Sequence, residues 1–480
     1  MLNRMQSVST SRLPSPGGFS GVRVTVMGLG SFGGGLAAAT YLAGLNANVT
    51  ITDRKDAEQL AASLQQLQGV NIQHCFLCDH PHEAFDNAEV LVVNPAVKPH
   101  DPLVAGCRER GAMITSELEL FLAANPARVI AVTGSNGKST TTALIAHLLQ
   151  PWANQTGNRV WMGGNIGVSL LSQLSLISEH DIVVLEISSF QLEYLKGAGF
   201  APEVAVITNF TSNHLDWHGT MDHYRKAKQV LLGAQTLSQA AVLPESGEVP
   251  DDWRVRSRRF HFGIDDLGEN GTYLHDGTLI LRDSHGEDAI RLHQPANLPG
   301  KHNARNIAAA VCACWLMKAD TSTFQQQLQS FQMLPHRLQL VAEGKGLRFV
   351  NDSVATTPES TIAALETLRQ PIVLIAGGAD KGSDLSDMAH AAAKYAHAIV
   401  LIGATSCTLK SQLDDIHGGD GGQICVVAED FQNAFLKAVA LAPEGAIVLL
   451  SPGCASFGWF RDYRDRGEQF QKLALDWIQV

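Results

Sequence analysis

The chain has 480 residues, 36 Lys and Arg against 47 Asp and Glu, a formal charge of −11, and 45% hydrophobic and 17% charged residues. That length exceeds one compact core and calls for roughly two to four domains, and the composition excludes global disorder. The acidic balance argues against a nucleic-acid surface, so any anionic ligand must be held by local donors, and no apolar run is long enough to span a bilayer.

Residues 1–20 are rich in Ser, Pro and Gly, lack the apolar segment of a secretory signal, and read as a flexible tail. Val22 to Met27, the glycine run Gly28 to Gly35 and Leu36 to Ala43 predict strand, turn and helix. Asp53 ends the next short strand, about twenty residues beyond Gly33. Gly28-x-Gly30-x-x-Gly33 with that downstream acid is the dinucleotide fingerprint, in which the acid takes ribose hydroxyls and the helix end a diphosphate. NAD(P) is the first reading of these residues alone, although any nucleoside diphosphate conjugate meets the same requirement. Cys75 and Cys78 have no second pair at matching spacing, so isolated thiols in a reducing cytoplasm are expected.

The β-branched run Arg128 to Thr133 breaks into Gly134-Ser135-Asn136-Gly137-Lys138-Ser139-Thr140 and then into a helical pattern, which predicts a phosphate-binding loop. Val132 stands where the standard spacing has glycine, so the loop is a variant; the bland alternative is an ordinary strand-to-helix turn with a surface lysine. Lys138 would meet the β- and γ-phosphates, and the Ser139 or Thr140 hydroxyl would meet Mg²⁺. The apolar strand Asp181 to Leu185 ends in Glu186, at the sheet edge where ligands bind in open α/β folds, a natural place for a metal carboxylate. Val204 to Asn209 is a further strand ending in polar side chains and leads into His214, and Tyr224 to Lys228 reads first as a basic helix face. Residues 240–295 are turn-rich and predict a small antiparallel patch. Asn303 and Asn306 open a helix, where they would cap it or bond a purine or ribose. Beyond Pro335-His336-Arg337, strands ending at Asp352, Ala376, Ile402 and Ser451 alternate with helices and give a further α/β domain.

Taken together, Thr133 to Thr140, Gly163 to Gly167, Glu186 to Glu193, Pro335 to Arg337, Asn351 to Ser353 and Ser451 to Ser456 resemble the Mur ligases of peptidoglycan synthesis, most of all their glutamate-adding members. The match runs from about Gly21 to Phe470. The resemblance implies an α/β protein of three domains: Rossmann-like (21–126), central P-loop ATPase-like (127–333) and C-terminal Rossmann-like (334–480). It gives the first domain to UDP rather than NAD, with Ser31, Phe32 and Asp53 at the UDP group and Asn165 and Gln191 along the muramoyl peptide. ATP would contact Gly134 to Thr140, Asn303, Asn306, Arg337 and Asp352. Two Mg²⁺ would be held by Ser139, Glu186, His214 and Lys228, the last as a carbamate.

Thr356, Lys381, Ser456 and Tyr463 would hold the incoming amino acid. Val354 stands where glutamate-adding members have lysine, and Tyr463 where phenylalanine is more frequent. The implied reaction is ATP-dependent: the carboxylate of UDP-N-acetylmuramoyl-L-alanine becomes an acyl phosphate, and the amine of D-glutamate displaces phosphate. An L-glutamate-adding sister ligase is the alternative. A nicotinamide dehydrogenase would leave Lys138, Glu186 and Lys228 without a role, and a regulatory ATPase would leave the first domain without one. A monomeric cytoplasmic enzyme is expected, with neither nucleic acid nor membrane insertion.

Overall fold

The computed structural model describes residues 12–29, 33–245, 249–250, 253–265, 268–275, 278–295, 298, 300–332, 334–368, 370–380, 384–417 and 424–479. Among them the strands form three sheets.

The first sheet has five parallel strands, β1 (Arg23–Met27), β2 (Asn48–Asp53), β3 (Ile72–Leu77), β4 (Val90–Val93) and β5 (Met113–Thr115), in the order β3-β2-β1-β4-β5. This is the order of a mononucleotide-binding half of a Rossmann fold, whose strand order reverses beside β1. The glycine run therefore leaves β1 at the switch point, and Asp53 closes the neighbouring β2.

The second sheet contains β6 (Arg128–Thr133), β7 (Val160–Gly164), β8 (Ile182–Glu186), β9 (Val204–Ile207), β10 (Ala240–Pro244), β11 (Arg258–Gly263), β12 (Gly271–His275), β13 (Thr278–Asp283) and β14 (Gly286–Arg291). Their order is β14-β13-β12-β11-β10-β9-β6-β8-β7. Strands β6, β8 and β9 are buried apart from Arg128, as expected of a parallel sheet covered on both faces. The register pairs Val132 with Glu186 and Thr133 with Ile207, so the C-terminal ends of β6, β8 and β9 meet at one edge. The antiparallel patch expected over 240–295 is confined to its second half. β10 and β11 extend the sheet in parallel, β12 pairs in parallel with β11, and only β12, β13 and β14 pair antiparallel. Alternation within a strand identifies it as a strand, but its partner is set by tertiary packing.

The third sheet holds β15 (Gln339–Gly344), β16 (Leu347–Asn351), β17 (Ile372–Gly377), β18 (Ala396–Ile402), β19 (Ile424–Val427) and β20 (Ile447–Leu450), in the order β15-β16-β20-β17-β18-β19. Only the β15–β16 pair is antiparallel. β17 shows why the sheet needs helices on both faces. Ile372, Leu374 and Ala376 join Leu365, Met388 and Leu409 on one side, while Val373 and Ile375 join Phe349, Phe435 and Phe470 on the other.

The chain forms two compact units, residues 1–294 with 304–331, and residues 295–303 with 332–480. The first two sheets share the first unit. One apolar cluster within it includes Val24, Leu42 and Ile51 together with Leu171, Val183 and Leu185.

Of the segment 1–20, expected as a flexible tail, two side chains in the described part are anchored. Residues 1–11 lie outside the described residues, and within 12–20 Leu13 and Phe19 are buried in the core and a short 3₁₀ turn spans Pro16–Phe19, while Ser15, Gly17, Gly18 and Ser20 are exposed. Arg12 donates two hydrogen bonds of 2.8 Å to the buried carboxylate of Glu119 and a third, of 2.9 Å, to the carbonyl of Tyr194. Truncating Arg12 leaves that carboxylate with the Thr115 hydroxyl, 2.8 Å away, but without its cation. Arg12→Ala is therefore expected to lower unfolding stability by about 1–3 kcal/mol, read as a shift of the urea midpoint at unchanged slope.

Candidate active site

β6 ends at Thr133 and the chain turns through Gly134 to Gly137 into the helix Lys138–Leu148. Two glycines are required here by space as well as by backbone. A Cβ at Gly134 would lie 1.9 Å from Thr208 Oγ1, and one at Gly137, whose φ is 79°, would lie 2.5 Å from Asn306 Oδ1. The side chain of Asn306 thus stands against the loop, where it also accepts a hydrogen bond from Thr141 at 3.3 Å.

The loop is held from the side by the chain leaving β9. Asn209 Oδ1 accepts from the amides of Ser135 (3.1 Å) and Asn136 (2.8 Å), while the Thr208 hydroxyl donates to Asn136 O. Those two amides are therefore engaged by the protein, and the loop runs directly into the opening turn of the Lys138–Leu148 helix. The amine of Lys138 folds back onto Gly134 O (3.0 Å) and Ser135 O (2.7 Å). Ser139 and Thr140 follow it in the first turn.

Glu186, at the end of β8, is 1% exposed. Its Oε1 accepts from Asn165 Nδ2 at 2.7 Å, whereas its Oε2 is buried with no hydrogen-bond partner among the described residues. An orphaned carboxylate oxygen is costly unless a cation meets it. Lys228, also 1% exposed, donates to Gly134 O at 2.6 Å and lies 4.6 Å from the centroid of the Tyr224 ring. Burial, and then the charge of Lys138, push its pKa well below the ordinary lysine value, with Glu186 acting in the opposite sense. The basic-helix-face reading of Lys228 is thereby excluded, because this lysine points inward.

His214 precedes the short helix Leu215–His218 with a left-handed backbone, φ 54°, and its ring packs 4.7 Å from that of Phe190. The first unit thus brings the phosphate loop, Glu186, Lys228 and Asn306 together, directly or through one intervening group, and His214 joins them through Phe190 and Tyr224. Among the described residues no three His, Cys, Asp or Glu side chains gather as a metal set.

Asn165 and Gln191, expected along the muramoyl peptide, are first of all structural partners. Asn165 orients Glu186, and Gln191 closes a capping box by accepting from the backbone and hydroxyl of Ser188 at the start of the helix Ser189–Tyr194. Asp53 is 7% exposed and accepts from the amide of Lys55 at 2.9 Å. Ser31, Phe32 and Lys381 lie outside the described residues.

In the second unit, Asn303 is buried, and its amide donates to Gly300 O at 3.2 Å. Asp352 accepts from Ser451 Oγ (2.7 Å) and the amide of Leu338 (3.1 Å), and burial pushes its pKa up to about 6 against the opposing pull of Ser451 and Arg337. Burial, assisted by Arg337, holds His302 down to about 4. Thr356 is half-buried, Ser456 buried and Tyr463 half-buried. What sequence reasoning missed here is Arg466, fully buried on the helix Tyr463–Gln479. Its guanidinium donates to Ser353 Oγ (2.9 Å), Ser353 O (2.8 Å) and Cys454 O (3.1 Å), while Ser353 Oγ in turn donates to Tyr463 O (2.7 Å). One side chain thereby ties Asn351 to Ser353, the loop after β20, and Tyr463. Asn209 was also missed, although the polar end of its strand was visible.

Fold and site define an α/β enzyme of nucleotide-binding type, with a glycine-lysine loop, a buried carboxylate and a buried lysine, and the chain belongs to the Mur ligase family, the ATP-dependent ligases of peptidoglycan synthesis. Family models match as the Mur ligase MurD-like N-terminal domain over residues 22–116, the Mur ligase middle domain over 132–314 and the Mur ligase glutamate ligase domain over 336–454. Among its relatives, the UDP-N-acetylmuramoylalanine–D-glutamate ligase of a Roseiflexus species is 38% identical over 95% of this chain and 98% of its own, and that of Koribacter versatilis is 35% identical over 94% and 97%. The solved UDP-N-acetylmuramate–alanine ligase of Thermotoga maritima shares the fold at a TM-score of 0.59 and 19% identity, covering 95% of this chain and 99% of its own. The MurF ligase of the same organism, solved with ADP, does so at 0.56 and 16%, covering 90% and 95%. No helix among the described residues is long and apolar enough to cross a membrane.

Proposed function

We propose that this ligase joins D-glutamate to UDP-N-acetylmuramoyl-L-alanine through an acyl phosphate, with ATP cleaved to ADP and phosphate. The observation that carries the reading is the buried carboxylate of Glu186, with one oxygen unpartnered, in the same site as a phosphate loop and an inward-pointing lysine. The Roseiflexus and Koribacter relatives carry this activity in their names and match nearly the whole chain.

In this reading residues 21–126 take the UDP moiety, with Ser31, Phe32 and Asp53 at the nucleotide and Asn165 and Gln191 toward the peptide arm. Residues 127–333 bind ATP through Gly134 to Thr140, Asn303 and Asn306. Residues 334–480 contribute Arg337 and Asp352 to the nucleotide, and Thr356, Lys381, Ser456 and Tyr463 to the amino acid. Lys138 leaves the Gly134 and Ser135 carbonyls to neutralise charge on the phosphates as the substrate carboxylate attacks the γ-phosphorus in line. The glutamate amine, delivered as the free base, then attacks the acyl carbon, and the C–O bond to phosphate breaks as the amide forms.

Ser139, Glu186, His214 and Lys228 as a carbamate are the residues that would hold two Mg²⁺, which supply Lewis-acid neutralisation of the phosphoryl oxygens when bound. The buried, unpartnered Glu186 oxygen fits that role. All eight cysteines are free thiols, which suits a reducing, cytoplasmic setting.

The deciding experiment is phosphate release from ATP with UDP-N-acetylmuramoyl-L-alanine against a panel of D- and L-amino acids. D-Glutamate is expected to be the best acceptor by a wide margin. L-Glutamate in first place would move the assignment to the sister ligase, and phosphate release that ignores the amino acid would overturn it.

A further inference from the structure

His218 is 5% exposed and is not among the groups assigned to the reaction. Its ring nitrogen Nε2 shares a hydrogen bond of 2.9 Å with Ser189 Oγ, itself only 2% exposed. Ser189 is the first residue of the helix Ser189–Tyr194, three positions beyond Glu186 and two before Gln191. The amide of His218 donates to the carbonyl of His214 at 2.9 Å and closes the turn that His214 opens.

Three aromatic rings confine the imidazole. Phe190 stacks on it at 5.7 Å, Tyr224 lies tilted at 5.2 Å and Trp217 meets it edge-on at 4.6 Å. Two of these neighbours reach the site directly. Phe190 packs against His214 at 4.7 Å, while Tyr224 shares a hydrogen bond of 3.0 Å with Ser135 Oγ in the phosphate loop and lies under the Lys228 amine.

We propose that His218 is a positioning residue that fixes the Glu186, His214 and Lys228 segments relative to one another, so that their side chains converge on the cation site. The inference rests on the reading of those three residues as metal-binding. Two physical arguments favour positioning over filling of space. A phenyl ring would fill the same volume without burying a polar group, whereas this imidazole aims a directional bond at the helix start that follows Glu186. His214 holds a left-handed backbone, which persists in a residue other than glycine only where its surroundings over-determine it. The backbone bond from His218, together with the Phe190 ring pinned between both histidines, supplies that constraint. The arrangement resembles the outer-shell partners that orient metal-binding side chains elsewhere.

The test uses the full-length protein and three variants. His218→Phe keeps the ring and removes the bond, Ser189→Ala removes the same bond from the other side with little change in volume, and His218→Gln can restore it. His218→Phe and Ser189→Ala are each expected to weaken Mn²⁺ binding in the presence of ADP, followed by electron paramagnetic resonance, by about 10-fold or more. The Mg²⁺ concentration for half-maximal turnover should rise alongside, at unchanged KM for the UDP substrate, and His218→Gln should recover most of the loss. The double variant should be no worse than the His218→Phe variant, because both substitutions remove the same His218–Ser189 bond.

Wild-type Mn²⁺ affinity and Mg²⁺ dependence in a folded Ser189→Ala would overturn the proposal, as would losses that only track the folded fraction measured by circular dichroism. Ser189→Ala keeps the test decisive should His218→Phe fail to fold. Failure of the functional reading shows separately, as a wild-type protein that binds Mn²⁺ with ADP yet forms no amide.

Discussion

Lys228→Ala is expected to lose turnover by a factor on the order of 10³ while remaining folded, and to regain part of it on addition of a small carboxylate such as acetate. The reason lies in the burial of the side chain. An ammonium group 1% exposed, beside a phosphate loop and a second lysine, conflicts with any bound cation unless it is modified. Burial and the Lys138 charge move the group toward the neutral amine, which is the form that attacks CO₂; the new N–C bond yields a carbamate and releases one proton. The product is carboxylate-like and meets a divalent ion without repulsion. Alanine leaves a space of carboxylate size, which accounts for the expected rescue, and Lys228→Glu should keep more activity than alanine. Acidification should reverse the modification. Near-normal turnover in the alanine variant, measured as ADP release, would show that no ligand is lost there.

The second large effect is expected from Lys138→Ala. The lysine opens the helix after the glycine loop, and its amine rests on two loop carbonyls. Its removal should cost about 10²- to 10³-fold in turnover, as loss of one preorganised group facing developing phosphoryl charge does. UDP-substrate affinity measured by calorimetry should change by less than about twofold, because Asp53 and the switch point of the first sheet lie on a different sheet from the phosphate loop. Lys138→Arg should not restore activity, since a planar fork cannot replace a compact point charge in so close a turn. A comparable loss of UDP-substrate affinity would contradict separate sites.

Both predictions concern residues that can be picked out from sequence, and for different reasons. Lys138 sits in a local motif whose geometry follows from its own glycines. Lys228 cannot be separated from a basic helix face by pattern alone, and the family resemblance distinguishes it where the physics of the stretch does not. Glu186 is legible because a continuous apolar strand belongs in the middle of a parallel sheet, and an acid at its C-terminal end then falls on the ligand-binding edge. The anchoring within 12–20 is hard to see in sequence because Ser, Pro and Gly dominate its composition, while two apolar anchors, Leu13 and Phe19, and one charge, Arg12, hold it. The parallel pairing of β10 and β11 is hidden because a strand does not encode its partner in its own alternation. Arg466 gives no signal, since a buried arginine on an amphipathic helix looks like any solvated one until the loops it grips are known.

The grip of Arg466 bears on how the loops it holds tolerate substitution. Two of its three hydrogen bonds go to main-chain carbonyls, those of Ser353 and Cys454, which every residue type supplies. Side chains along these loops can therefore be exchanged without loosening the backbone that carries them. Val354, next to one anchored carbonyl, is itself held by its main chain, its amide donating to His336 O at 3.1 Å. The latch thus uncouples the shape of the loop from its side-chain chemistry, so that single substitutions along it can alter what the loop presents while the main chain keeps its form.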